Sequence, residues 1–142
     1  VWDSVDVAGT WQEYFDLVGK LADTHLFDVV GHLDLPKKFG YRPADGVIRE
    51  MARPAMEKIA RASMAVEINT SGLRRPVKEI YPSLVLLTLA REYNIPICFG
   101  SDAHDPSQVG RHFEEAVALA KAAGHTHRAQ FRRRKPTLVP LA

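Results

Sequence analysis

Apolar residues recur three and four positions apart through Trp11, Tyr14, Phe15, Val18, Leu21 and Ala22, the stripe that one face of an α-helix buries. This spacing predicts a helix over Trp11–His25 with Thr10 as its N-cap. The period then changes, and the short run Phe27–Val30 reads as a strand. Pro36, Gly40, Pro43 and Gly46 mark a loop. A second helix is predicted from about Asp45, carrying Val47, Ile48, Met51, Ala55, Ile59 and Ala62 inward. Pro54 lies inside it and is expected to bend or divide the helix, because proline lacks the backbone donor and crowds the preceding turn.

The alternation continues with a strand over Ala65–Asn69 and a loop holding Gly72 and Pro76. Pro82 and Ser83 open a third helix whose Leu84, Leu87, Leu89, Ala90 and Tyr93 face inward, and Asn94-Ile95-Pro96 returns the chain to a strand over Ile97–Gly100. A fourth helix is predicted from Ser107 to Ala123, with Gly124 just past its end. A last short strand falls at Gln130–Phe131 or Thr137–Val139. The order α-β-α-β-α-β-α argues for an α/β fold of parallel strands alternating with helices. In such folds ligands gather at the carboxyl ends of the strands. No linker divides the chain, so residues 1–142 are expected to form a single domain.

Composition narrows the classes. With 142 residues, 46% hydrophobic and 25% charged, the chain can bury a core and is ordinary for a soluble protein. The single Cys98 excludes an internal disulfide and suits a reducing compartment. No apolar run approaches the roughly 20 residues of a membrane span, and no signal-peptide pattern is present, so the expected location is cytoplasmic. The formal net charge is only +2, yet Arg128, Arg132, Arg133, Arg134 and Lys135 crowd the end of the chain. Lacking aromatic interleaving beyond Phe131, this run reads as a solvated basic strand or tail, which argues against nucleic acid as a partner. The start at Val1-Trp2-Asp3 reads as the interior of a longer protein.

The chemistry concentrates where strands end. Asp102 and His104 follow the strand Ile97–Gly100 in Gly-Ser-Asp-Ala-His, and residues two apart on an extended chain point the same way. Carboxylate and imidazole are joint ligands for zinc, iron or manganese. The alternative is an aspartate capping the next helix beside a surface histidine. His32 follows the first strand in the same manner. Asp34 stands near Lys37 and Lys38, where a loop carboxylate is expected to be solvated, and is left out of the metal set. Glu67 interrupts an apolar strand, so it must be paired with an arginine such as Arg74 or lie near the site. Asn69 and Ser71 supply neutral hydrogen bonds, and Arg74 and Arg75 suit bidentate phosphate contacts. His112, His125 and His127 read as surface residues.

Three segments carry a resemblance: Phe27–Gly40 (FDVVGHLDLPKKFG), Glu67–Ser83 (EINTSGLRRPVKEIYPS) and Gly100–Gly110 (GSDAHDPSQVG). With Val1–Lys20, they resemble the polymerase and histidinol phosphatase (PHP) superfamily, and EINTSGL most narrowly its histidinol-phosphate phosphatases. The resemblance implies a partial distorted (β/α)7 PHP barrel with a trinuclear centre of divalent zinc, manganese or iron. It makes His32, Asp102 and His104 metal ligands, with Asp102 and His104 also catalytic. Arg74 is the first choice and Arg75 the second for binding phosphate, beside Asn69 and Ser71. The implied reaction is hydrolysis of L-histidinol phosphate to L-histidinol and phosphate in histidine biosynthesis. The family's opening HxH strand has no counterpart here; His125-Thr126-His127 has the letters without the strand context. The chain is therefore expected to be the C-terminal portion of the barrel, with weak metal binding and doubtful activity alone. Its exposed sheet edges invite homo-oligomers unless the missing N-terminal segment covers them. The competing expectations are a PHP nuclease or other phosphoesterase, and a non-catalytic module of the same fold.

Overall fold

The computed structural model describes residues 6–142; Val1–Val5, the start of the Val1–Lys20 stretch, lie outside the described residues. Helix α1 spans Val7–Asp23. It starts earlier than its apolar stripe because Asp6, not Thr10, is the N-cap, its carboxylate accepting from the Gly9 amide at 2.9 Å. The chain then runs through β1 (Val29–Val30), α2 (Asp45–Arg61), β2 (Ala65–Asn69), α3 (Leu84–Glu92), β3 (Ile97–Gly100), α4 (Phe113–Ala122), β4 (His127–Arg132) and β5 (Lys135–Pro140). Pro54 does not divide α2, which is one helix across it. Pro54 and Glu50, whose carbonyl loses its partner there, both lie on the exposed side, where water can serve the carbonyl.

Strands β1, β2 and β3 form a parallel sheet in chain order. Val30 pairs with Val66, Val66 with Ile97, and Asn69 with Gly100, so β2 and β3 end level while β1 stops three residues short of them. The helices pack neighbour on neighbour in the same order, as βαβ crossovers require. Alternation on β2 sends Val66 into the cluster of Trp11, Phe15, Ile48, Met56 and Leu86, and Ile68 into that of Leu87, Ile97, Ala116 and Ala120. Glu67 and Asn69 fall on the opposite side. Both segments proposed for a final strand form one, as the antiparallel pair β4 and β5. Their turn places Arg133 and Arg134 at φ 49° and 65°, the two positive values of a type I′ hairpin that usually needs Asn-Gly. Arg134 is not free in solvent: it donates to Asp28 at 2.8 Å and to the Leu26 carbonyl at 3.2 Å, tying the hairpin to the entry of β1.

The fourth helix is shorter than its pattern. A 3-10 turn at Pro106–Gln108 is capped by Asp105, and left-handed Gly110 and His112 (φ 70° and 64°) separate it from α4. His125 also departs from expectation. It is 6% exposed, and its Nε2–H donates to the Leu87 carbonyl at 2.9 Å. Burial depresses its pKa below the ordinary 6.5. The unfolded chain therefore binds this proton first, and stability present above about pH 6.5 declines as pH falls toward the lower folded value. Melting temperature is expected to drop more steeply between pH 7 and pH 5 for the wild type than for H125Q; equal slopes would remove this histidine from the acid response.

Candidate metal and phosphate site

The segments that leave β1 and β3 bring His32 and Asp102 face to face. Both leave their strands through left-handed backbone, at φ 49° and 48°, which turns their side chains toward one another. His32 Nε2 lies 3.7 Å from Asp102 Oδ2, and each side chain is about one third exposed (32% and 35%). This gap is too long for a hydrogen bond but shorter than twice the roughly 2.0–2.2 Å of a metal–donor contact, so one cation can touch both. The donor pair therefore fits a divalent metal. His104 is exposed, and its Nδ1–H donates to the Asp102 carbonyl at 2.8 Å, leaving Nε2 as the open donor. Holding one ring nitrogen on a carbonyl is how ligating histidines are usually oriented. His104 does not join the other two: among the described residues no three His, Cys, Asp or Glu side chains converge as a metal cluster.

The arginines are placed differently from one another. Arg74 Nη2 donates to the carbonyls of Ser101 (2.9 Å) and Asp102 (3.2 Å), bracing the turn that presents Asp102. Its Nη1 is buried without a hydrogen-bond partner among the described residues. Arg75 is exposed and lies near Tyr81, whose phenol is held above its ordinary pKa by burial and the Asp34 charge, against the pull of this guanidinium. Asn69 and Ser71 are buried (1% and 2% exposed). Asn69 accepts from the Ser71 amide at 2.9 Å and donates to Glu67 at 3.1 Å, so its bonding serves the 3-10 turn Thr70–Arg74. Glu67 has no arginine partner among the described residues. Its carboxylate fills the space above two glycines, and a Cβ on Gly100 would stand 2.0 Å from Oε1. Beside it, burial pushes the Cys98 thiol up to about 11, which keeps it protonated and poorly nucleophilic.

Comparison with known proteins decides the family. Residues 87–119 match the PHP-associated family. Over 135 residues, 94% of this chain, the sequence is 42% identical to a probable histidinol-phosphatase of Deinococcus radiodurans, covering 50% of that protein. It is 36% identical over 90 residues, 60% of this chain, to the histidinol-phosphatase of Bacillus subtilis, covering 33% of it. A probable histidinol-phosphatase of Schizosaccharomyces pombe is 31% identical over 123 residues, 82% of this chain and 39% of that protein. The chain corresponds to a C-terminal part of the PHP-type histidinol-phosphatase family. It spans at most half the length of these relatives.

The residues the sequence did not reveal lie just behind His32. Asp34 is expected in solvent from the sequence, yet it and Lys37 are both fully buried and paired at 3.0 Å. Asp34 also accepts from the Ser83 amide at 2.8 Å, and Lys37 donates to the Ile80 carbonyl at 2.7 Å. Burial pushes the Asp34 carboxyl above its ordinary range against the pull of Lys37. Their i,i+3 spacing on the 3-10 turn Leu35–Phe39 is visible in the sequence. The partners that enclose them, more than forty residues on, are not.

Proposed function

We propose that this chain supplies the C-terminal part of a metal-dependent phosphomonoesterase site that hydrolyses L-histidinol phosphate to L-histidinol and phosphate in histidine biosynthesis. The observation that carries the reading is the facing of His32 Nε2 and Asp102 Oδ2 at 3.7 Å beyond the carboxyl ends of β1 and β3. The names and identities of the relatives support the same reaction. Residues 1–142 then form one unit, whose three parallel strands are an arc of the PHP barrel. No described helix is long and apolar enough to cross a membrane, and the reading places the enzyme in the cytoplasm.

His32, Asp102 and His104 are the ligand set of this reading, as part of a trinuclear centre. When bound, divalent zinc, manganese or iron supplies positive charge to the phosphoryl group and acidifies water. The chain's own groups do the rest. Arg74 keeps the Ser101–Asp102 carbonyls in place, which fixes the carboxylate on its left-handed turn. Arg75, exposed at the end of the same segment, reaches for the non-bridging oxygens, where a planar guanidinium binds in bidentate fashion and steadies the charge of a loose transition state. Asn69 and Ser71 shape the turn that carries both arginines. The proton lost by the attacking water would pass to the leaving alkoxide by way of the Asp102 carboxylate oxygen that does not hold metal, or of His104 Nε2 where that nitrogen is free of metal.

The deciding experiment is phosphate release from L-histidinol phosphate by the protein as encoded in its gene, metal-stripped and then reloaded with manganese, zinc or iron. Metal-dependent turnover is expected. Metal binding without phosphate release overturns the substrate, and cleavage of single-stranded DNA in its place makes the protein a PHP nuclease.

A further inference from the structure

His32 occupies backbone that a non-glycine residue adopts at a cost (φ 49°), and such a conformation persists only where neighbours enforce it. Two tyrosines from distant parts of the chain do so. The Tyr14 hydroxyl on α1 donates to the His32 carbonyl at 2.5 Å. Burial together with the nearby Asp34 and Tyr81 pushes Tyr14 up to about 12, so the donor proton is retained. On the other side the Tyr81 ring lies against the imidazole, centroids 5.4 Å apart and tilted by 41°.

Tyr81 is itself immobilised. Its amide and carbonyl exchange hydrogen bonds with Asn69, at 3.0 and 2.6 Å, at the end of β2. Lys37 Nζ stands over its ring at 5.4 Å, and the same ammonium is held by Asp34 (3.0 Å), Glu79 (3.2 Å) and the Ile80 carbonyl (2.7 Å). The Tyr81 hydroxyl, by contrast, is buried with no hydrogen-bond partner among the described residues. Its contribution to His32 is therefore the ring face and not the phenol.

We propose that Tyr14 and Tyr81 are positioning residues that hold His32 Nε2 toward Asp102, Tyr14 through the main chain and Tyr81 through its ring, and so set the divalent-cation affinity of the pair. This rests on the metal-dependent reading above for the cation, and not on the identity of the phosphate ester. The two contacts act on different parts of one residue. Losing the Tyr14 bond frees the backbone to leave the left-handed region, and losing the Tyr81 ring frees the imidazole to rotate.

The test uses the whole metal-free protein with 15N-labelled histidine, as wild type, Y14F, Y81L, Y81F and H32A. Three quantities are read: Mn2+ affinity by electron paramagnetic resonance, the His32 ring resonances, and the melting temperature. Outer-shell partners of metal ligands are worth about 10–100-fold in affinity, so Y14F and Y81L are expected to weaken Mn2+ binding about tenfold. Y81F, which keeps the ring, restores it. In the metal-free state His32 should show one set of ring signals in the wild type and a second or broadened set in Y14F and Y81L. Wild-type affinity and a single ring conformer in both variants would overturn the proposal. So would an affinity loss in Y81F equal to that in Y81L, or losses that merely follow the melting temperature. If H32A binds Mn2+ as tightly as the wild type, the ligand assignment fails. The ring signals then still decide whether the tyrosines position His32.

Discussion

Replacing Asp102 with Asn is expected to lower phosphate release from L-histidinol phosphate by at least about 100-fold, the upper end of what even outer-shell partners of a metal site contribute. The amide is isosteric, so the turn braced by Arg74 through the Ser101 and Asp102 carbonyls survives. What disappears is the negative charge facing His32 Nε2 across 3.7 Å. A neutral amide oxygen is a far poorer donor to a divalent cation than a carboxylate, so metal content should fall along with turnover. The measurement is kcat and metal stoichiometry side by side on the protein as encoded. Unchanged melting temperature with both quantities reduced is the expected result. Full metal content with full activity would remove Asp102 from the site.

The second large effect is structural. Lys37→Met should destabilise the fold by about 3–5 kcal/mol, because it strands the Asp34 carboxylate, fully buried, without its cation. Asp34 would keep only the Ser83 amide, and its Oδ1 already lacks a partner among the described residues. Urea denaturation reads this directly. The double variant D34L/K37M should recover much of the loss, since an apolar pair avoids the desolvation that the ion pair only offsets. Glu79, 3.2 Å from Lys37 but partly exposed, can turn to water or to Arg42, whose Nη1 is already 2.9 Å away. A Lys37→Met variant within about 1 kcal/mol of wild type would mean that the pair is not buried in solution. The two predictions are separable: one removes function at constant stability, the other stability itself.

How much was legible follows the range of each interaction. Periodicity located every helix and strand of the parallel sheet, because apolar spacing records which face is buried. The exceptions lay where backbone conformation overrides pattern. The helical reading runs from Ser107 into α4, but left-handed Gly110 and His112 interrupt the helix there. Pro54 sits on a solvent-facing side, so α2 tolerates it. His125 carries no local mark of burial; its place under Leu87 comes from α3 meeting the segment between α4 and β4.

The same division holds at the candidate site. The sequence by itself determined the parallel α/β order, the strand-end positions of His32, Asp102 and His104, and, through GHLD, EINTSGLRRP and GSDAH, the family. These are properties of short segments. Tertiary structure alone decided that His32 meets Asp102, seventy residues later, while His104 turns to the Asp102 carbonyl. It also decided that Arg74 braces a turn while Arg75 stays exposed, and that a charged pair on a surface-like loop is the most deeply buried polar feature behind the site. Sheet register and the turns after each strand set which side chains meet, and burial depends on what packs over a residue. Neither is carried by the residue or its neighbours in the chain.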